Sequence, residues 1–290
     1  MRPPIIDMRN EEEIIALILN IAKNDERIRA VLLNGSRANP DVKKDRFQDF
    51  DIVYIVTEIK TFLNDHDWIN IFGERLILQM PKEMAIGDKG DDPSFQYLML
   101  FEDGNRIDLT LFPFDKIHNE LKKESLSILL MDKDNVFGEL PPPSDKDYLI
   151  KPPTEKEFVD HCNEFWWVST YVAKGLWRNE IIYAKQMLEV TVRKMFLKII
   201  EWYIGTETGF TVSFGNNGKN MQQLISTDLY EKVLSTYPDS SIENIWDSLF
   251  QMTELFHDLA KKIAKRMNFN YNEDEARNVI EYLKFVHAMQ

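Results

Sequence analysis

The stretch Val31–Val56, VLLNGSRANPDVKKDRFQDFDIVYIV, decides how the rest of the chain is read. An apolar run, Val31-Leu32-Leu33, breaks at Asn34-Gly35-Ser36-Arg37, and after a polar loop over 38–48 the segment Asp49-Phe50-Asp51 opens a second apolar run. The pattern predicts a strand, a small-residue turn and a second strand. Side chains alternate faces along a strand, so Asp49 and Asp51 project from one side while Phe50, Ile52 and Tyr54 turn toward a core. Two anions held that close repel each other unless a cation neutralises them. Mg²⁺ suits the task, because it takes oxygen ligands, binds through one or two carboxylates and fills its remaining positions with water and substrate phosphates. Opposite the metal, Gly35 lets the backbone approach a ligand without a Cβ in the way, and successive amides with the Ser36 hydroxyl supply an anion-binding concavity. The stretch therefore reads as a seat for a nucleotide triphosphate.

A third acid is expected in Gln96–Pro113, QYLMLFEDGNRIDLTLFP. Two strand-like runs flank Glu102-Asp103-Gly104-Asn105, a hairpin signal in which Gly and Asn accept the positive φ of tight turns. In the returning strand Ile107, Leu109 and Leu111 share one face, leaving Asp108 and Thr110 on the other. A carboxylate inside an apolar strand is costly to bury unless it is paired or metal-bound. If this strand lies beside that of Asp49 and Asp51, all three carboxylates converge. A half-exposed strand with its polar face in water is the plainer reading of Asp108 taken alone.

Bulk properties narrow the partners. At 290 residues, 44% apolar and 12% aromatic, the chain is long enough for one large or two modest globular domains. No run approaches the ~18 uninterrupted apolar residues of a membrane span, and the start MRPPIIDMRNEEE lacks the pattern of a secretory signal. The single cysteine, Cys162, excludes an intrachain disulfide and a cysteine-based zinc site. A cytoplasmic protein without membrane association is expected. The formal charge of −13, from 48 acids against 35 bases, disfavours a nucleic-acid partner, which calls for clustered Lys and Arg.

In chain order, Ile14, Ile15, Leu17, Ile18 and Ile21 predict an amphipathic first helix. Residues 61–72 read as a short helix, 74–80 as a strand ended by Pro81, and the Gly- and Asp-rich segment over 82–94 as a surface loop. Proline-rich LPPPSDKDYLIKPP over 140–153 is a connector. Beyond it the character becomes helical: Thr154 and Glu157 form a capping box, Leu188, Val192, Phe196, Ile199 and Tyr203 mark one long helix, and helices resume from about Asp228, over 242–267 and from Glu273. The fold class expected is α+β, with a mixed sheet and helices over 1–150 carrying the acids and an all-α domain over 151–290. A second substrate is expected in the cleft between them.

Gly35-Ser36, Asp49-x-Asp51 and Asp108 resemble the signature of the polymerase-β-type nucleotidyltransferases. LLNGSR with FQDFDIVYIVT, then FEDGNRIDLTLFP, then CNEFWWVSTYVAKGLWRNEI, resemble more narrowly the aminoglycoside 6-adenylyltransferases, or streptomycin adenylyltransferases, over nearly the whole chain. That resemblance implies transfer of AMP from Mg-ATP to a hydroxyl of streptomycin with release of pyrophosphate, and hence antibiotic resistance. Asp49 and Asp51 would bind the metal bridging the ATP phosphates. Asp108 would complete a second metal site or act as the base for the hydroxyl proton, and Gly35, Ser36 and Arg37 would seat the β- and γ-phosphates.

In the helical half, Lys174 and Arg178 sit four apart on one helix face and are candidates for a phosphate contact. Glu164, Trp166, Trp167 and Glu180 are candidates for a guanidinium-bearing sugar, which favours carboxylates and flat aromatic surfaces. His161 and Cys162 read as packing residues. Two rival classes stand beside this one: a nucleotidyltransferase-fold protein that modifies a protein partner, for which a smaller chain is expected, and a non-catalytic nucleotide-binding scaffold, against which the retention of three acids argues.

Overall fold

The opening stretch folds as two antiparallel strands, β1 (Ile28–Asn34) and β2 (Phe50–Val56), in a register that sets Asn34 opposite Asp51. The computed structural model describes residues 8–87, 90–121 and 124–290, so Asp88 and Lys89 of the expected 82–94 loop lie outside the described residues. The chain divides into two compact units, the first ending at Asp147 and the second spanning Tyr148–Gln290.

The first unit is built on a six-stranded mixed sheet. Its further strands are β3 (Arg75–Gln79), β4 (Phe95–Phe101), β5 (Arg106–Pro113) and β6 (Ser127–Asp132), and their order is β3-β4-β5-β2-β1-β6. β4 and β5 form the expected hairpin, and β5 runs parallel to β2 with Asp108 paired to Asp51. One face of the sheet packs Val31, Leu33, Phe50, Ile52, Tyr54, Leu109 and Leu111 against Ile14, Ile18 and Ile21 of the first helix, Glu11–Asn24. Burying each such side chain is worth about 1.5–3 kcal/mol. The Tyr54 hydroxyl donates to the Ile18 carbonyl at 2.7 Å, so the buried phenol is not left unpaired. On the other face a smaller cluster of Ala30, Leu32, Val53, Ile55 and Phe112 closes the middle of the sheet. By alternation Asp51 and Asp108 belong to this second face.

Two expectations for this unit change. Residues 61–72 form a short α-turn, Lys60–Leu63, and a separate 3₁₀ segment, His66–Phe72. The break falls at Asp65, whose carboxylate accepts the Asp67 amide at 2.9 Å and so restarts the chain in a new direction. β6 is an added strand at the sheet edge; every one of its residues is half-buried, so it carries no alternation to read.

The β4–β5 hairpin is held by a polar knot. Gly104 takes φ +83°, and Asp103 accepts hydrogen bonds from Arg9 Nε at 2.5 Å and from the Asn105 amide at 3.0 Å. Burial pushes the Asp103 carboxyl up, but the bonds from Arg9 and Asn105 prevail and bring it to about 2. A depressed carboxyl contributes stability that is complete above its unfolded value near ~3.9 and lost as pH falls through the folded one. Asp103→Asn is therefore expected to cost about 1–3 kcal/mol at pH 7. In urea melts, the gap between the variant and wild type should shrink as pH falls from 4 toward 2 and stay constant above 5.

The second unit is helical. Thr154 caps the Glu155–Trp177 helix through the expected box, its amide donating to Glu157 at 2.7 Å and the Glu157 amide donating back at 3.2 Å. Phe158, Phe165, Trp166, Val172 and Leu176 from this helix pack with Leu188, Phe196, Ile199, Phe256 and Ile263 in one core. The long helix expected through Leu188 and Tyr203 runs without a gap over 181–208, as Ile181–Gln186, a π-helical segment Met187–Val192 and Arg193–Thr208. No Gly or Pro marks the widened turn, so spacing alone does not expose it. Helices Thr227–Ser235, Ile242–Met267 and Glu273–Ala288 complete the unit. Among the described residues no helix is long and apolar enough to cross a membrane.

Candidate active site

Two adjacent strands, β2 and β5, bring the acids together. Asp51, the second residue of β2, lies between Asn34 on β1 and Asp108 on β5, and Asp49 immediately precedes β2. Gly35 follows β1 with φ +71°, where a Cβ would lie only 2.2 Å from Asp51 Oδ2. The position is thus glycine for two reasons, the left-handed backbone and the carboxylate pressed against it. The Gly35 amide is committed to the Leu126 carbonyl at 3.1 Å, and within the turn the Ala38 amide donates to the Gly35 carbonyl at 3.1 Å and the Asn39 amide to the Ser36 carbonyl at 3.3 Å. Ser127 Oγ donates to Asn34 Oδ1 at 2.6 Å and pins the turn to β6.

Electrostatics mark Asp51 as the strained member. Burial, then Asp108, Asp49 and Glu124, push its carboxyl up to about 6, with Arg106 opposing. Asp49 is also raised, chiefly by burial, with Arg106 pulling the other way. Among the described residues no three carboxylate, imidazole or thiol groups are arranged as a ready-made ion site. Instead Arg106 grips Asp108 with Nε and Nη2, both at 2.7 Å, and reaches Asp49 Oδ2 with Nη1 at 3.5 Å. No motif marks Arg106, although lying two residues before Asp108 on a strand it must share its face. The residues fit a divalent cation all the same: they are hard oxygen donors, they carry surplus negative charge, and the group between them is itself a cation.

Arg37 is not a phosphate ligand as placed. It is 7% exposed, stacks at 3.7 Å on the Phe50 ring, and donates to Glu11 at 3.1 Å and to the Gln48 carbonyl at 2.8 Å. Its fork therefore fixes the backbone just before Asp49. In the helical unit Trp166 is a core residue, 1% exposed and edge-on to Phe165 and Phe256, because it shares the buried face of its helix with Phe158, Cys162 and Phe165. It cannot wall a pocket.

Trp167 is 59% exposed and donates to the Tyr171 hydroxyl at 2.7 Å, and Lys174 lies over the Tyr171 ring. Arg178 caps the end of that helix and Glu180 the start of the next. Glu164 lines a groove of about 1250 Å³ with Asp160, His161, Glu189, Glu201 and Trp202. His161 is anchored to the Met195 carbonyl at 2.9 Å, and Cys162 is buried.

A family model described as streptomycin adenylyltransferase matches residues 8–286. The chain belongs to the streptomycin adenylyltransferase family. It is similar to the aminoglycoside 6-adenylyltransferases of Campylobacter jejuni, 44% identical over 91% of each chain, and of Bacillus subtilis (strain 168), 39% identical over 97% of this chain and 99% of that one. A crystal structure of an aminoglycoside 6-adenyltransferase from Bacillus subtilis aligns with 97% of this chain and 99% of that one at 36% identity, with a TM-score of 0.48. As a member of the streptomycin adenylyltransferase family, the protein is a nucleotidyltransferase.

Proposed function

We propose that this enzyme transfers AMP from ATP to a hydroxyl of streptomycin or a closely related cationic aminoglycoside, releasing pyrophosphate. The observation that carries the reading is the packing of Gly35 against the Asp51 carboxylate with Asp108 in register on the neighbouring strand: a glycine-lined seat and paired acids on one sheet face. The names of the relatives support the acceptor, each being an aminoglycoside 6-adenylyltransferase.

Asp49, Asp51 and Asp108 would hold Mg²⁺. When bound, the metal offsets the charge of the phosphates and stabilises the leaving pyrophosphate. Ser36 and the amides after Gly35 orient the triphosphate. Arg37, through Gln48, keeps Asp49 in place. The proton of the attacking hydroxyl would pass to a carboxylate of this group. Lys174 and Arg178, at the end of the Glu155–Trp177 helix, are candidates for an anion contact. In the helical groove Glu189 and Glu201 already pair with Arg193 and Lys198, so Glu164, with Trp167 and Glu180 on the surface of the same unit, would be the residues to meet a guanidinium-bearing sugar.

Pyrophosphate release from ATP and Mg²⁺, measured with and without streptomycin, tests this. Drug-dependent release accompanied by a mass gain of one adenylyl group on the drug is the expected result. Release that requires a protein acceptor, or no release with any aminoglycoside, contradicts it.

A further inference from the structure

The geometry points to Arg106 as a built-in counter-ion that occupies the cation seat of the metal-free enzyme and must leave Asp108 and Asp49 before a divalent metal can bind. The inference rests on the reading of these acids as metal ligands, and adds to it a residue that opposes the metal. Three observations carry it. Arg106 makes a bidentate contact with Asp108, both bonds at 2.7 Å, the strong fork geometry of guanidinium and carboxylate. The same guanidinium extends to Asp49 at 3.5 Å, so it spans acids contributed by separate segments. Its side chain is 43% exposed, against 20% for Asp108, so the guanidinium has solvent to move into while the carboxylate stays on the sheet.

The consequence follows from competition. A metal approaching Asp108 meets two oxygens that each already accept an N–H from Arg106, and it approaches a positive charge. Both effects weaken binding, and both disappear when the guanidinium is removed. Without Arg106 or metal, however, Asp49, Asp51 and Asp108 face one another with nothing between them. A residue that merely braces the sheet would lower stability when lost and leave metal affinity unchanged or reduced. Loss of a resident counter-ion lowers metal-free stability and raises metal affinity, two readouts of opposite sign.

Mn²⁺ alone, titrated into wild type, Arg106→Gln, Arg106→Lys and Asp51→Asn and followed by the EPR signal of the free ion, separates these roles. Arg106→Gln is expected to bind Mn²⁺ about fivefold to tenfold more tightly than wild type, with a lower melting temperature in chelator and a larger rise on adding Mn²⁺. Arg106→Lys keeps the charge but lacks the planar fork, so it should fall between the two and serves if the Gln variant does not fold. Wild-type or weaker Mn²⁺ affinity in the folded variants overturns the inference. Asp51→Asn separates its failure from that of the underlying reading: if that variant binds Mn²⁺ as wild type does, it is the assignment of the acids as ligands that is wrong.

Discussion

Asp51→Asn is expected to lower adenylyl transfer at least about a thousandfold and, at the same time, to make the metal-free protein more stable. Both effects come from one position. Asp51 is at the centre of the acid group, opposite Asn34 and Asp108 in the ladder and in contact range of Gly35. Its carboxyl is pushed up to about 6, first by burial and then by Asp108, Asp49 and Glu124. A carboxyl raised above its unfolded value near ~3.9 favours the fold only while protonated. Stability is therefore highest below that value, declines as pH rises toward 6, and stays lower at pH 7.5 by about 1–3 kcal/mol.

Asparagine keeps the shape and removes the charge. Melting in chelator at pH 7.5 should show a rise of a few degrees for the variant, and the rise should vanish near pH 4. A variant that loses stability along with activity, or keeps activity within tenfold of wild type, would contradict the assignment of Asp51 as a functional acid held at the expense of the fold.

Gly35→Ala should have the next largest effect, a loss of about 1–3 kcal/mol in stability and about a hundredfold in activity. Two costs combine: φ of +71° disfavours any Cβ, and the new methyl would lie 2.2 Å from Asp51 Oδ2 and 3.1 Å from its Cγ. They can be separated by a double-mutant cycle. With Asp51→Ala as background, the methyl has no carboxylate to meet, and adding Gly35→Ala should cost only about 1 kcal/mol, the backbone part. Equal costs in both backgrounds, read from urea denaturation, would mean that Gly35 and Asp51 do not press on each other.

The parts of this site legible in the sequence are those with a period or a turn signal. Alternation puts Asp49 and Asp51 on one face of β2 and Asp108 on the outer face of β5, and Gly104 with Asn105 marks the hairpin that brings β5 back. The parallel pairing of β5 with β2 is a tertiary outcome; the sequence motivates it only through the cost of burying Asp108. Arg37 misleads because its position beside Gly35-Ser36 suggests a phosphate, whereas its burial against Phe50 and Gln48 is decided by the loop over 38–48, which has no periodicity. Trp166 and Trp167 are neighbours in sequence and opposite in fate, since a helix turns about 100° per residue; the stripe of Phe158, Cys162 and Phe165 assigns Trp166 to the core. Arg106 is legible, through its spacing from Asp108, without any motif to draw the eye to it. β6 and the π segment Met187–Val192 are not legible, the first for lack of alternation and the second for lack of any breaking residue.

Diffraction from crystals grown with Mn²⁺ and a non-hydrolysable ATP analogue, recorded at the manganese absorption edge, locates the metal directly. An anomalous peak within about 2.0–2.3 Å of carboxylate oxygens of Asp49 and Asp51, with Arg106 withdrawn from Asp108 and the phosphates against the turn at Gly35-Ser36, is the predicted result. Nucleotide bound elsewhere, or bound at that turn with manganese away from both carboxylates, would contradict it.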